Sequence, residues 1–560
     1  MKNSFHSALV CAALVLAGCA MHPAQPPTNH ASGEISSLGQ ALTFHVFMGE
    51  LALQRGAAQI AVHQYADAAQ LSQDPALAQF ATLLAYSSGD DPLAMQVTHR
   101  WLQLAPGDAA ARHYQAVLNA RLGNTDAAVA EFKKLLANTA GENLQLIASL
   151  LGQETSVNQG LPVMQKLVAD DPGSAQAHFA LAQLAMHFNQ PRMAADEARR
   201  ALELQPRLDQ AAVLEAHALL ALGNSKKALQ LLKTRTLAQP SNTSLRLAYA
   251  ALLVGSQQLP LAQAEFDAVL RQDPNQPDAL YSLGLLALQG NALRAAADYF
   301  TRLLKTGQRE NEARFFLGDS YELSRHYDQA LHWYRQVNGG SQWLAAQISI
   351  ARIFLLQRDM GNARKTVDDA VILAPDAGVQ LRIAESELFS DHGDNDTALV
   401  VLNQGLLENP GNTDLLYTRA LLRDSSGDPE SAESDLREVL SREPDDADAL
   451  NALGYVMTEH SGNYLEARAY ITRALKLKPD DPAIIDSMGW VEFRLGNYPQ
   501  ALDYLRKSYA KTPDPEVAAH LTETLWASGN KQEAHQIWSG AMQQHPGNAA
   551  LIKIGERLFP

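Results

Sequence analysis

Two cysteines in 560 residues leave almost nothing for disulfide chemistry. Cys11 lies in a leader-like segment expected to be removed, and Cys19 then has no partner, so the fold must hold by packing alone. Aromatic residues are scarce at 7%, while hydrophobic residues as a whole reach 46%, the alanine- and leucine-rich balance of packed helices. Positive charge is short: 45 Lys and Arg stand against 61 Asp and Glu, and a formal charge of -16 argues against a nucleic-acid partner, whose phosphates demand a basic surface. The apolar run from Ala8 to Ala17 is too short to span a bilayer. Motifs for chemistry are missing as well: there is no His-Glu-x-x-His, Cys-x-x-Cys, Gly-x-Ser-x-Gly or phosphate-binding glycine loop. No catalytic residue, metal site or cofactor is therefore expected. Asp391 to Asp396 superficially suggests a calcium loop, but it lacks the terminal glutamate and reads as a solvated turn between helices. The paired acids Asp445-Asp446 and Asp480-Asp481 precede helices and read as caps.

What is present is repetition. In Asp480 to Pro513, apolar residues at Ile484, Met488, Val491 and Leu495 mark one helix face, and Leu502, Leu505 and Tyr509 mark another after a Leu-Gly-Asn turn. Two short helices cannot bury these faces alone, so the unit must stack on copies of itself. A ladder of small residues runs Ala94, Ala128, Gly160, Ala194, Ala228, Ala262, Ala296, Ala330, Ala363, Ala398, Ala432, Ala467, Ala501 and Ala534, in steps of 32 to 35 residues. Its physical reason is close approach: a larger side chain where two helices cross would hold them apart, at roughly 1 to 3 kcal/mol. Prolines agree with this register. Pro75, Pro277, Pro482 and Pro515 fall at the start of a first helix, and Pro92, Pro191, Pro260, Pro429 and Pro499 at the start of a second, where the missing N–H costs nothing. Only Pro162 sits badly.

Ile485, Met488, Gly489, Ala501, Leu505, Ser508 and Pro513 stand at the spacing of the tetratricopeptide-repeat (TPR) signature, with Glu492 where that family prefers Tyr, and the unit resembles a TPR. The resemblance implies an all-α TPR superhelical solenoid of about fifteen helix-turn-helix pairs. Organisation is expected as less regular helical repeats over 38–172, a central array over 173–340, a C-terminal array over 341–546 and a capping helix over 547–560. The irregular unit at 141–172 and Asn338-Gly339-Gly340-Ser341 are either hinges or slightly longer turns, the turn being the simpler reading. The family's register turns the first helix of each pair toward a concave groove, which makes Tyr281, Phe315, Asp319, Glu322, Arg352, Tyr417, Asn451, Tyr455, Asp486, Trp490 and Glu523 the candidate partner-binding residues. Aromatics mixed with charge suit a protein or peptide partner. Partial burial against the next repeat is the competing role for each. With Asp486 on an open groove and Ala501 at a helix crossing, Asp486→Arg is expected to spare the fold and Ala501→Arg to damage it.

The first nineteen residues carry Lys2, a short apolar stretch and then Leu16-Ala17-Gly18-Cys19, which resembles the lipobox of bacterial lipoproteins; the alternative is an ordinary signal peptide with a chance cysteine. The resemblance implies cleavage before Cys19, lipidation of that cysteine and, with Ala20 following, anchorage to the outer membrane facing the periplasm. Residues 20–37, with Pro23, Pro26 and Pro27, read as a flexible tether. The wording of the last three units, Leu450 to Tyr455, Asp486 to Val491 and Ala518 to Leu521, is similar to long TPR lipoproteins of Gram-negative bacteria. One type of these binds a periplasmic C-terminal processing protease and helps it degrade peptidoglycan hydrolases. That likeness implies an adaptor; a structural subunit for polysaccharide export or pilus assembly is the second expectation.

Overall fold

The computed structural model describes residues 37–136 and 144–559. Cys19, the signal segment and nearly all of the tether lie outside the described residues. The described residues hold 31 α-helices, most of 13 or 14 residues, and no strand. Taken two by two in chain order they give the fifteen pairs expected, with Ala549–Leu558 left over at the end. The chain divides into two compact units, 1–257 and 258–560. Apart from Thr243–Gly255, which ends the first, and Leu259–Gln272, which begins the second, each is a stack of antiparallel helical hairpins.

Each hairpin forms for local reasons. Asp481 closes the start of Pro482–Arg494 by accepting from the N–H groups of Ala483 and Ile484, and Pro482 occupies the first helical position. Asp446 does the same for Ala447–Val456, so the second acid of each pair is a cap, while the first, Asp445 or Asp480, pairs with Arg473 or Lys511. At the other end Asn497 N–H reaches back to the Glu492 carbonyl at 2.9 Å and Gly496 N–H to that of Phe493 at 2.9 Å. Closing the helix this way puts Gly496 at φ +81°, a conformation that favours glycine. Asp391 to Asp394 is the same turn in another repeat, with Asp394 capping Asn395–Glu408.

Between the two helices of a hairpin, small residues let the backbones close. Every alanine of the ladder is buried, and so is Gly160. A second set of small residues faces them from the first helices. A Cβ on Gly489 would sit 2.6 Å from Leu505 Cγ, one on Gly284 2.5 Å from the Phe300 ring, and one on Gly318 2.5 Å from the Tyr334 ring. The large residue lies sixteen positions after each glycine, so one glycine and one bulky side chain interlock in repeat after repeat. Adjacent repeats are also clasped: Arg302 Nη2 donates to the Pro274 carbonyl at 2.7 Å and Arg473 Nη2 to that of Pro444 at 2.5 Å, and Arg235 holds the Pro206 carbonyl in the same way. In each case an arginine on a second helix holds the proline that closes the repeat before.

The irregular places have physical explanations. Pro162 lies inside Val157–Asp170, which starts from a capping box between Ser156 and Gln159. Around Asn338-Gly339-Gly340-Ser341 the second helix stops early, at Tyr334, and Asn311 pins the loop by donating to the Gly339 carbonyl at 2.9 Å. The 35-residue step from Ala432 to Ala467 is taken up by a π-helical turn, Met457–Ser461, appended to Ala447–Val456.

Candidate protein-binding surface

Stacking in steps of 34 or 35 residues puts equivalent first-helix positions beside each other. One such row runs Arg382, Tyr417, Asn451, Asp486 and His520. The row one helical turn on includes Tyr455 and Trp490. The structure gathers Asn451, Tyr455, Asp486, Trp490 and Glu523 of the expected residues around two adjoining pockets near the C-terminal end, of about 360 and 450 Å³. Both are lined by first helices, and they share Tyr455 and Glu516 as a common wall. The Tyr455 hydroxyl donates to Glu516 across two repeats. Burial and then the Glu516 carboxylate push that phenol well above its ordinary range, with Glu459 and Asp486 adding to the effect.

Asp486 corrects a sequence expectation. It is 6% exposed, set into the packed wall of the smaller pocket rather than free in the groove, and its Oδ2 pairs with His520 Nδ1 at 2.9 Å. Burial alone would lower the His520 pKa, but the Asp486 charge and hydrogen bond, helped by Glu516 and Glu459, raise it overall. An arginine at position 486 would lie beside His520 in a buried place, so Asp486→Arg is expected to destabilise the fold rather than spare it. Trp490 is buried to the same degree. Its ring lies between Phe493 at 4.9 Å and His520 at 4.1 Å, both nearly parallel to it, and its indole N–H donates to Glu459. An imidazolium stacked on indole adds a cation–π attraction. Trp490 is thus a wall of the larger pocket held in place by its neighbours. Glu523 is half-buried and paired with Arg557 at 2.7 Å.

The remaining expected residues form separate groups. Arg352 Nε donates to Glu322 at 2.7 Å and the Tyr334 hydroxyl to the same carboxylate at 2.8 Å. Asp319 lies beside this group, its pKa raised by burial and then by the Glu322 charge. Tyr281 has the Arg309 guanidinium 4.8 Å over its ring, while Phe315 packs against Phe316 and Tyr334. Tyr417 packs on the core around Leu416 and Val456, and burial raises its pKa.

Sequence reasoning missed Glu459, Glu516, His520 and Arg382. His520 and Arg382 were within reach, since each is a whole number of repeats from Asp486 in the same row. Arg382 is 2% exposed and bonded to Asp368 at 2.7 Å, Glu385 at 3.0 Å and Glu408 at 2.8 Å. Glu459 was not within reach, because the π turn that aims it at Trp490 has no equivalent in a regular repeat.

Among the described residues no three His, Cys, Asp or Glu side chains are placed to hold a metal ion, and no helix is long and apolar enough to cross a membrane. A family model described as "Tetratricopeptide repeat" matches residues 248–308, 290–341 and 417–482. The chain is 33% identical over 535 residues to a TPR repeat-containing protein of Pseudomonas aeruginosa, covering 92% of this chain and 90% of that one. It is 25% identical over 188 residues to the type IV pilus assembly protein PilF of the same organism, covering 33% of this chain and 73% of PilF. Among solved structures it is similar to yeast Tom70, with 14% identity, a TM-score of 0.35 and coverage of 92% of this chain and 98% of that one.

Proposed function

We propose, from the premise that the chain belongs to the tetratricopeptide-repeat family, that it is a protein-binding scaffold bringing a protease together with the proteins it degrades. The observation that carries this reading is the row of first-helix side chains around the two C-terminal pockets, where aromatic faces, ion-paired acids and Glu516, which has no cationic partner among the described residues, line a surface open to a partner. A scaffold needs no catalytic group of its own, since holding enzyme and client on one chain raises their effective concentration and can multiply avidity by roughly 100-fold or more. The candidate enzyme is a periplasmic C-terminal processing protease and the client a peptidoglycan hydrolase. The Leu16-Ala17-Gly18-Cys19 motif supports attachment to the outer membrane through a lipid on Cys19.

Reconstitution tests the adaptor directly. Protease and candidate client are incubated with and without the full-length lipidated chain, and client loss is followed with time; acceleration is expected. An unchanged rate, with no protease co-purifying from envelope extracts, would overturn it. The likeness to a pilus assembly protein supports a second reading, a structural subunit of an envelope assembly machine, for which pilus or polysaccharide components would co-purify instead.

A further inference from the structure

The smaller of the two pockets has a chemistry of one kind. Its polar wall consists of Asn451, Tyr455, Asp486, Ser487, Thr512, Asp514 and Glu516, and no lysine or arginine lines it among the described residues. The larger pocket beside it differs, because Arg494, Lys553 and Arg557 enter its wall together with acids. A row of acids alone would signify little, since Asp514 is occupied as a cap for the Glu516 N–H.

The second observation is Asp486. Its Oδ2 is satisfied by His520, but Oδ1, on a side chain more than nine-tenths buried, has no hydrogen-bond partner. On the neighbouring repeat Asn451 Oδ1 is also buried without a partner. A buried acceptor left without a donor keeps its desolvation penalty uncompensated, the more so when it is charged. Two such oxygens on the wall of one pocket make a site short of donors. The pocket, of about 360 Å³, has room for one long side chain.

We infer that this pocket receives a cationic, donor-rich side chain, the guanidinium or ammonium of an Arg or Lys on a partner protein segment, against Asp486, Asn451 and Glu516. The inference rests on the scaffold reading and gives it a chemical class of partner. A planar guanidinium supplies up to five N–H donors, enough for both orphan oxygens and the free Glu516 acceptor positions together. Beyond the effect of burial, the charges of Glu516, Glu459 and Asp486 also raise the Tyr455 pKa, and the same negative potential would draw a cation in.

The test is titration calorimetry of the full-length chain with nine-residue peptides that differ only at a central Arg, Lys, citrulline or Glu. Citrulline keeps the shape of arginine and removes its charge. The Arg or Lys peptide is expected to bind at least tenfold more tightly than the citrulline and Glu peptides, with binding weakened by added salt. Asp486→Asn and Glu516→Gln should each remove that preference; Glu516 is exposed, so its variant serves if Asp486→Asn alters folding. Equal binding of the citrulline peptide, an undiminished preference in Glu516→Gln, or no binding of any peptide would overturn the inference. Free agmatine binding as tightly as the Arg peptide would overturn the assignment to a protein segment. Capture of an identified envelope partner runs in parallel: retention by both variants at the wild-type level counts against the pocket and leaves the scaffold standing, whereas no retention by the wild type counts against the scaffold.

Discussion

Arg382 is the side chain on which most charge converges. It is buried with Asp368, Glu385 and Glu408 around it, and Arg364 Nε lies 3.7 Å from Glu385 Oε1. Removing it strands three carboxylates, so Arg382→Ala is expected to cost about 3 to 5 kcal/mol, read as a lowered melting temperature of the full chain. Burial outweighs both arginines at Glu385 and pushes its carboxyl up to about 7. A folded pKa raised above the unfolded value favours the native state at low pH and loses that contribution as pH climbs to about 7. The stability difference between wild type and Glu385→Gln should therefore shift toward the wild type from pH 7 to pH 5, measured by melts in matched buffers. His520 has the same sign in a higher window, since its raised pKa gives a contribution present below about 6.5 and lost as pH rises above it. Melts of His520→Gln against wild type should converge on moving from pH 6 to pH 9. Arg382 was legible only as one more step of the row containing Asp486. Nothing in composition says that a charged residue at a groove position is buried, because that depends on which side chains the two flanking repeats supply.

At the scale of the element, most of the hairpin could be read in advance. The alanine ladder, the prolines in first turns and the Asp caps each have a local cause, and all lie where the spacing places them. The glycines of the first helices carry the complementary half of that crossing. Gly489→Val should lose about 1 to 3 kcal/mol by overpacking Leu505, and Leu505→Ala in the same chain should restore part of it; the double-mutant melt measures the recovery. The π turn at Met457–Ser461 was visible only as a step one residue too long. Length does not say where along two helices an extra residue will be absorbed. Here it falls at the end of the first helix, where Glu459 reaches the indole of Trp490 and the Arg494 guanidinium.

At the scale of the whole molecule, the ladder settles the architecture because a repeat buries its faces only against its neighbours. The terminal helix Ala549–Leu558 covers the last pair, with Leu551 buried and its carbonyl accepting from Trp538 Nε1 at 2.8 Å. A chain ending at residue 546 should bare this apolar surface, melt at a lower temperature and associate, as light scattering would show. The identity of the partner was not legible, since a groove is an interface between successive repeats and its chemistry is set by residues about 34 positions apart. The arginine-to-proline clasps have a mechanical consequence. Each joins one repeat only to the one before it, at Pro206, Pro274 and Pro444. Under tension such a stack gives way a link at a time. Each link releases about 34 residues, or roughly 110 to 120 Å of extended chain, so pulling from the two ends in an optical trap should lengthen the protein in steps of that size, a spring that yields in portions and re-forms the same way when the force is withdrawn.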